Sequence, residues 1–299
     1  MKILIVLLRL KGGVGRANTE IKNALIKKGH EVDILSREDN LKIHSFFKSI
    51  FPLRKKIKQL MKKNNYDIIY TQDYSIALTL LFPYFLFWKK HFSCFCGTKT
   101  NRHPELIQWH HKLIQKIVGK IMGKKLVVIG DKLKKRFPKS TLIYRGVNFE
   151  KFKPLSKKRN CLCWMERDTE NISKDNLQKI SYSTGLKFAI AKGIPPEKMN
   201  KFYNKCKVFV SLPTKAGYNN IWNETMASGV PIVIGNKKGA GTMLPFDKVL
   251  EKDKIKKINQ IIKNPKKINY RKWLIDNGFS WEDKAKSLIK FFEKNINKK

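Results

Sequence analysis

The sequence predicts an α/β protein built as two parallel-sheet domains. Three observations carry that reading. Short runs rich in Val, Ile and Leu recur along the chain, separated by stretches of helical periodicity. Glycines stand where such runs give way to helices, at Gly12-Gly13 and at Gly217. A length of 299 residues suits two modest domains, each with its own core, better than one.

The first strand is Met1-Lys2-Ile3-Leu4-Ile5-Val6-Leu7-Leu8, too short for a signal segment and running straight into Lys11-Gly12-Gly13-Val14-Gly15-Arg16. The helix that follows shows Ile21, Ala24 and Leu25 on one face and ends near Gly29-His30. Glu31-Val32-Asp33-Ile34-Leu35 is the next strand. The glycines match neither G-x-G-x-x-G nor the P-loop, so they imply neither chemistry. They serve either close backbone approach to a ligand or a tight turn. Residues 46–63 alternate apolar and basic side chains, a pattern that fits an anionic membrane surface or a core-packed helix with a solvated basic face. Residues 67–72 read as a strand. The apolar stretch 76–88 contains Pro83 and is shorter than the ~20 residues a bilayer span needs, so it reads as a buried helix and no transmembrane segment is expected.

Further strands are predicted over 92–98, 125–130 and 141–148, and the lysine-rich stretch 151–159 reads as a linker. The second domain restarts the alternation: strand 161–165, helix 175–182, strand 186–191, then a helix opened by Pro195-Pro196-Glu197. Val208-Phe209-Val210-Ser211-Leu212 and Val230-Pro231-Ile232-Val233-Ile234 are strands flanking a glycine turn and a helix that carries Glu224 and stops at Gly229. A helix over 255–263 follows. A last helix begins at Phe279-Ser280-Trp281, with Ala285, Leu288, Ile289 and Phe292 on one face.

Lys and Arg number 64 against 23 Asp and Glu, a net charge of +41. Such a field draws nucleic acid, anionic lipid or anionic metabolites, although basic residues spread over the whole chain also fit compositional drift. No nucleic-acid recognition motif is present, so no specific nucleic-acid partner is expected. The five cysteines, at 94, 96, 161, 163 and 206, are odd in number and follow no secretory start, which favours buried reduced thiols over a disulfide framework. Each Cys-x-Cys pair should face one side of its strand. That spacing is poor for zinc, and no metal is expected.

The turn after residues 208–212 lies at the carboxyl end of a predicted parallel strand, with a helix N-terminus behind it. Open α/β sheets bind phosphorylated ligands there. Glu224 is then either a ligand-facing carboxylate or an ordinary solvated one.

Gly217-Tyr218 followed by Glu224-Thr225-Met226-Ala227-Ser228-Gly229-Val230-Pro231 resembles the signature of the retaining GT-B glycosyltransferases of family 4, the glycosyl transferases group 1. Gly12-Gly13-Val14-Gly15-Arg16, with Gly29-His30-Glu31-Val32 a helix later, resembles that family's amino-terminal loop. Tyr144-Arg145-Gly146-Val147-Asn148 with Phe152-Lys153-Pro154 resembles its domain crossing. The resemblance implies a GT-B fold of two Rossmann-like domains facing across a cleft: 1–150 on the acceptor side, 151–280 binding a nucleotide-sugar, and 281–299 a helix crossing back. It implies a hexosyltransferase-type enzyme that moves a sugar, with retention, from a nucleoside-diphosphate donor to a glycan or lipid-linked acceptor. The setting would be cell-envelope polysaccharide biosynthesis, in the cytoplasm or peripherally at the inner face of an anionic membrane, without a cofactor beyond the donor.

Residue by residue, the resemblance assigns Arg167 and Lys174 to the leaving diphosphate, where bidentate and point-charge contacts suit phosphate, and Glu224 to the ribose. Gly12, Gly13, Gly193, Ile194, Gly217, Tyr218, Asn219 and Asn220 would meet the donor. Arg16, Cys96 and His103 would face the acceptor, Cys96 standing where relatives carry His. The family's first Glu falls on Ala216. That departure leaves open a catalytically weakened nucleotide-sugar-binding or partner subunit. Charge alone motivates a third reading, a basic protein binding nucleic acid or anionic surfaces.

Overall fold

The computed structural model describes residues 1–43, 46–97, 109–155, 159–165, 174–211, 219–235, 247–249, 254–264 and 268–296. The chain runs β1 (Lys2–Leu7), α1 (Gly12–Ile26), β2 (Glu31–Ser36), α2 (Arg37–Leu41), α3 (Phe46–Asn64), β3 (Ile68–Gln72), α4 (Tyr74–Leu81) and β4 (His91–Phe95). It continues through α5 (Trp109–Met122), β5 (Leu126–Val128), α6 (Asp131–Arg136), β6 (Thr141–Leu142), β7 (Cys161–Met165), α7 (Lys174–Thr184), β8 (Lys187–Ala191), α8 (Met199–Tyr203) and β9 (Cys206–Ser211). It closes with α9 (Asn220–Ala227), β10 (Ile232–Gly235), β11 (Asp247–Val249), α10 (Lys254–Lys263), α11 (Tyr270–Asp276) and α12 (Trp281–Ile296). Two compact units result: Met1–Arg145 with Trp281–Lys299, and Gly146–Ser280.

In the first unit six strands pair in the order β2-β1-β3-β4-β5-β6, all parallel. Ile3 to Leu7 are buried on both faces of β1, which is why that strand is uniformly apolar. Leu4, Val6 and Ile69 pack against Leu53, Ile57 and Met61 of α3 and Ile76 and Leu80 of α4. The same face continues through Phe95, Leu126 and Val128 onto Val118 and Met122 of α5. On the opposite face Phe292 of α12 meets Tyr70 edge-on at 5.4 Å between ring centroids, and Phe291 meets Phe92 at 5.6 Å.

The second unit pairs its strands in the order β11-β10-β9-β7-β8, again all parallel. Leu162, Trp164, Val208, Val210 and Val233 pack on Ile180 of α7 and Ile261 and Ile262 of α10. Arg271 donates to the carbonyls of Phe149, Phe152 and Ala227, and Arg159 to those of Ser228 and Gly229. These two guanidinium groups tie the segment entering the unit to the carboxyl end of α9, satisfying carbonyls that a helix end leaves open.

Three sequence expectations change, and one open alternative is divided residue by residue. The stretch 76–88 is not one helix: α4 stops at Leu81 because Phe82, preceding Pro83, takes extended backbone, and Phe82, Tyr84 and Phe85 are exposed. In α3 the core reading holds for Ile50, Leu53, Ile57 and Met61, all buried, while Phe51 is 64% exposed. Residues 195–198 turn before a helix that starts only at Met199. Cys163 and Cys206 form a disulfide rather than two free thiols, because β7 and β9, far apart in sequence, are neighbours in the sheet. An odd cysteine count does not exclude one such pair.

Candidate functional site

Parallel pairing gathers the carboxyl ends of each sheet's strands at one edge, where ligands of open α/β sheets bind. In the second unit β9 reaches that edge at Ser211, and α9 starts beyond it. Asn219 caps α9, its side chain accepting from the Ile221 amide at 3.3 Å. Trp222 and Met226 are fully buried and seat the helix on the sheet; the Trp222 indole N–H donates to Ser211 Oγ at 3.0 Å. Glu224 is half-buried, and its Oε2 accepts from the Tyr203 hydroxyl at 2.8 Å. Tyr203 is itself fully buried, edge-on to Phe209 at 5.8 Å. A buried ring with a fixed hydroxyl therefore orients the carboxylate. A carboxylate held this way suits a pair of neighbouring hydroxyls, such as those of a ribose.

Gly193 lies two residues past β8 with φ +60, a conformation that favours glycine, and among the described residues no heavy atom beyond its chain neighbours stands within 4 Å of where a Cβ would be. Its backbone is open to a ligand, and the next residue, Ile194, is half-buried. The structure thus brings Gly193, Ile194, Asn219, Asn220 and Glu224 to elements that leave the carboxyl edge of one sheet. Arg167, Ala216, Gly217 and Tyr218 lie outside the described residues, and of Lys174 only its backbone position at the start of α7 is described.

In the first unit Gly12 and Gly13 open α1 itself. Gly15, in the next turn, packs so tightly that a Cβ would lie 1.7 Å from the Leu10 carbonyl oxygen. The Leu10 amide donates to Asp39 Oδ2 at 2.8 Å, and the Ser36 hydroxyl also donates to that carboxylate. The Ser36 bond first, then the Leu10 amide, hold Asp39 below the usual carboxylate pKa. Arg145, just beyond β6, donates from Nη1 to the Gly13 carbonyl at 2.9 Å. Arg16 is exposed on α1.

Beside these residues a cavity of about 50 Å³ lies between the sheet and helices α1 and α12. Asn18, Gln72, Cys94, Cys96, Arg145 and Lys284 line it. It has room for a few water-sized groups and not for a nucleotide. Burial lowers the Lys284 pKa to about 8, against the opposing pull of Asp283. Cys96 is therefore placed beside a cationic cavity, while His103 lies outside the described residues. Sequence reasoning missed Gln72, Arg145 and Lys284. Arg145 lies within the predicted strand 141–148, inside the domain-crossing motif. Lys284 stands four residues before Leu288, on the apolar face of the last helix. Among the described residues no group of three His, Cys, Asp or Glu side chains is placed to hold a metal ion.

No protein-family model matches the sequence, and a search of curated proteins finds no match. Solved structures do match. Sucrose-phosphate synthase from Thermosynechococcus elongatus superposes with a TM-score of 0.74 at 12% identity, over 98% of this chain and 99% of that one. HepE from Anabaena, in complex with UDP, gives 0.68 at 13% identity, over 98% of this chain and 100% of that one. A glycosyltransferase from Rickettsia africae gives 0.68 at 17% identity, over 100% and 99%. The two parallel sheets of this chain have the GT-B glycosyltransferase fold.

Proposed function

We propose that this protein transfers a sugar from a nucleoside-diphosphate donor to an acceptor. The observation that carries the reading is Glu224, oriented by Tyr203 on the helix that leaves the carboxyl edge of the second sheet. The fold supports it, since matching structures include HepE with UDP-glucose and a starch synthase catalytic domain with ADP and acarbose. Glu224 accepts hydrogen bonds from the ribose hydroxyls. The Gly193 backbone and the α9 amino end face the base and the donor sugar. Arg167 and Lys174 neutralise the leaving diphosphate. Transfer proceeds with retention on the donor's front face, so no separate protein base is assigned; Gly12 and Gly13 meet the donor, and the first unit's carboxyl edge, with Arg16 and Cys96, receives a glycan or lipid-linked acceptor.

Incubation with UDP-, GDP- and ADP-sugars, followed by NMR of the released or transferred sugar, tests this reading. An α-linked donor should yield an α-configured product. Neither transfer nor hydrolysis of any donor, with Glu224→Ala behaving as wild type throughout, would overturn it. A second reading rests on Ala216, which stands where the resemblance places a sugar-holding carboxylate: the chain binds donor but turns it over weakly. Restored turnover on Ala216→Glu would identify a missing sugar contact, and binding without turnover in both forms would favour a partner subunit.

The acceptor side also carries a surface suited to an anionic membrane. Leu113, Ile117 and Ile121 form an exposed stripe on α5, with Lys112, Lys116 and Lys120 beside it. Phe51, Phe82, Tyr84 and Phe85 are exposed near Lys55 and Lys58 on the α3 side. Apolar side chains flanked by lysines enter a headgroup region while the charges stay at its surface. Among the described residues no helix is long and apolar enough to cross a membrane.

A further inference from the structure

The first unit holds two thiols that the donor chemistry does not use. Strand alternation puts residues i and i+2 on one face, so Cys94 in β4 and Cys96 one residue past its end both point towards α1 and α12. Their sulfurs lie 3.9 Å apart. Cys94 is 4% exposed, whereas Cys96 is half-buried and lines the cavity. The Cys96 S–H also points at Gln72 Oε1 at 3.6 Å, and the Arg145 guanidinium, from the segment after β6, lines the same cavity. The Cys94 S–H donated to Cys96, helped by the Arg145 charge, pulls the Cys96 pKa below that of an ordinary thiol. The same contact and burial push Cys94 up. Of the two sulfurs, Cys96 is the more acidic and the one that faces the cavity.

We propose that Cys94 and Cys96 form a peroxide-reactive dithiol, with Cys96 as the attacking and Cys94 as the resolving thiol. The Cys96 thiolate attacks one peroxide oxygen and the O–O bond breaks. The departing oxygen leaves as hydroxide or alkoxide and takes a proton to become water or alcohol. Cys96 becomes a sulfenic acid, its sulfur oxidised by two electrons as the peroxide is reduced. The Cys94 sulfur then attacks the Cys96 sulfur, and the S–O bond breaks. The hydroxyl leaves as water with the Cys94 proton, and an intrachain disulfide remains. Two thiols and one peroxide thus give one disulfide, one water and one water or alcohol. Closure ties up the Cys96 sulfur and alters the cavity that Arg145 lines beside the start of α1. The remaining free thiol, Cys161, is raised in pKa mainly by burial and lacks a second free thiol within its strand pairing, because Cys163 is already bonded to Cys206.

The test is hydrogen peroxide added to the full-length protein, followed by alkylation and peptide mass spectrometry. It reads sulfur chemistry directly and does not depend on glycosyl transfer. Wild type should yield a peptide containing Cys94 and Cys96 that is lighter by two hydrogens and blocked to alkylation, with Cys161 still alkylated. Cys94→Ser should trap Cys96 as a dimedone-reactive sulfenic acid. Cys96→Ser should slow thiol loss roughly tenfold or more. Cys161 oxidising as fast as Cys96, unchanged kinetics in Cys96→Ser, or a wild-type sulfenic acid that never closes would each overturn the assignment.

Discussion

Tyr203 and Glu224 are the most consequential pair of side chains in the second unit. Hydrogen bonds to a charged group contribute roughly 1.5–3 kcal/mol, so Glu224→Ala should weaken nucleotide-sugar binding by about tenfold to a hundredfold. Tyr203→Phe keeps the buried ring and removes only the hydroxyl. It should cost about 1 kcal/mol of donor binding and leave the melting temperature nearly unchanged, measurable by calorimetry and thermal unfolding on the same samples. Gly15 is sensitive for a steric reason. A methyl group 1.7 Å from the Leu10 carbonyl oxygen cannot be accommodated without moving α1, so Gly15→Ala should lower stability by roughly 1–3 kcal/mol or more in urea unfolding. His91 sets a pH dependence. Its ring is buried, bonded through Nε2 to Thr71 Oγ1 at 3.0 Å, and its pKa falls from 6.5 to about 3, chiefly through burial and then the Lys125 charge. The unfolded chain therefore binds a proton that the native chain refuses. Stability is fully present above about pH 6.5 and declines towards pH 3, by about 1.4 kcal/mol per pH unit from this residue. A His91→Gln variant should show a shallower decline over pH 6 to 5; an unchanged slope would assign the effect elsewhere.

At the scale of elements, the helix pair α3 and α5 separates two pictures of the basic amphipathic surface. The alternation over residues 46–63 fits either a membrane helix or a core helix. Structure divides it residue by residue, with Ile50, Leu53, Ile57 and Met61 inside and Phe51 outside. The surface stripe on α5 and the exposed aromatics after α4 were not legible. The residues preceding α5 carry no periodicity signal in the sequence, and the apolar run 76–88 hides the break imposed by Pro83. Flotation with anionic vesicles checks the surface: wild type should bind and Ile117→Asp with Phe85→Asp should not, while neutral vesicles bind neither. Equal binding of the double variant would remove α5 from the surface. Buried strands such as β1 and β9 were legible because both faces are covered and the runs Ile3 to Leu7 and Val208 to Val210 are apolar. Short helices such as α2 and α11 were not. They rest on local caps, Ser36 accepting from the Asp39 amide and Asn269 from the Lys272 amide.

For the whole molecule, alternation of strands and helices was enough to indicate two parallel sheets, because each βαβ step leaves its own periodicity in the chain. The strand orders were not readable, and with them went the adjacency of β7 and β9 that permits the Cys163–Cys206 disulfide. The site was legible where a motif is contiguous, as around Glu224. It was illegible where distant residues converge. Arg145, Gln72 and Lys284 meet only because β3, β6 and α12 pack around one cavity. Net charge of +41 bears on every binding measurement. Donor affinity and vesicle binding should both weaken with salt, and a donor contact through Glu224 must persist at an ionic strength that abolishes nonspecific binding of nucleic acid. The most direct test is calorimetric titration of the full-length protein with UDP-, GDP- and ADP-sugars at such ionic strength, wild type beside Glu224→Ala. Saturable binding of at least one donor, weakened about tenfold or more by the substitution, is the predicted result; no donor binding, or binding indifferent to Glu224, would contradict it.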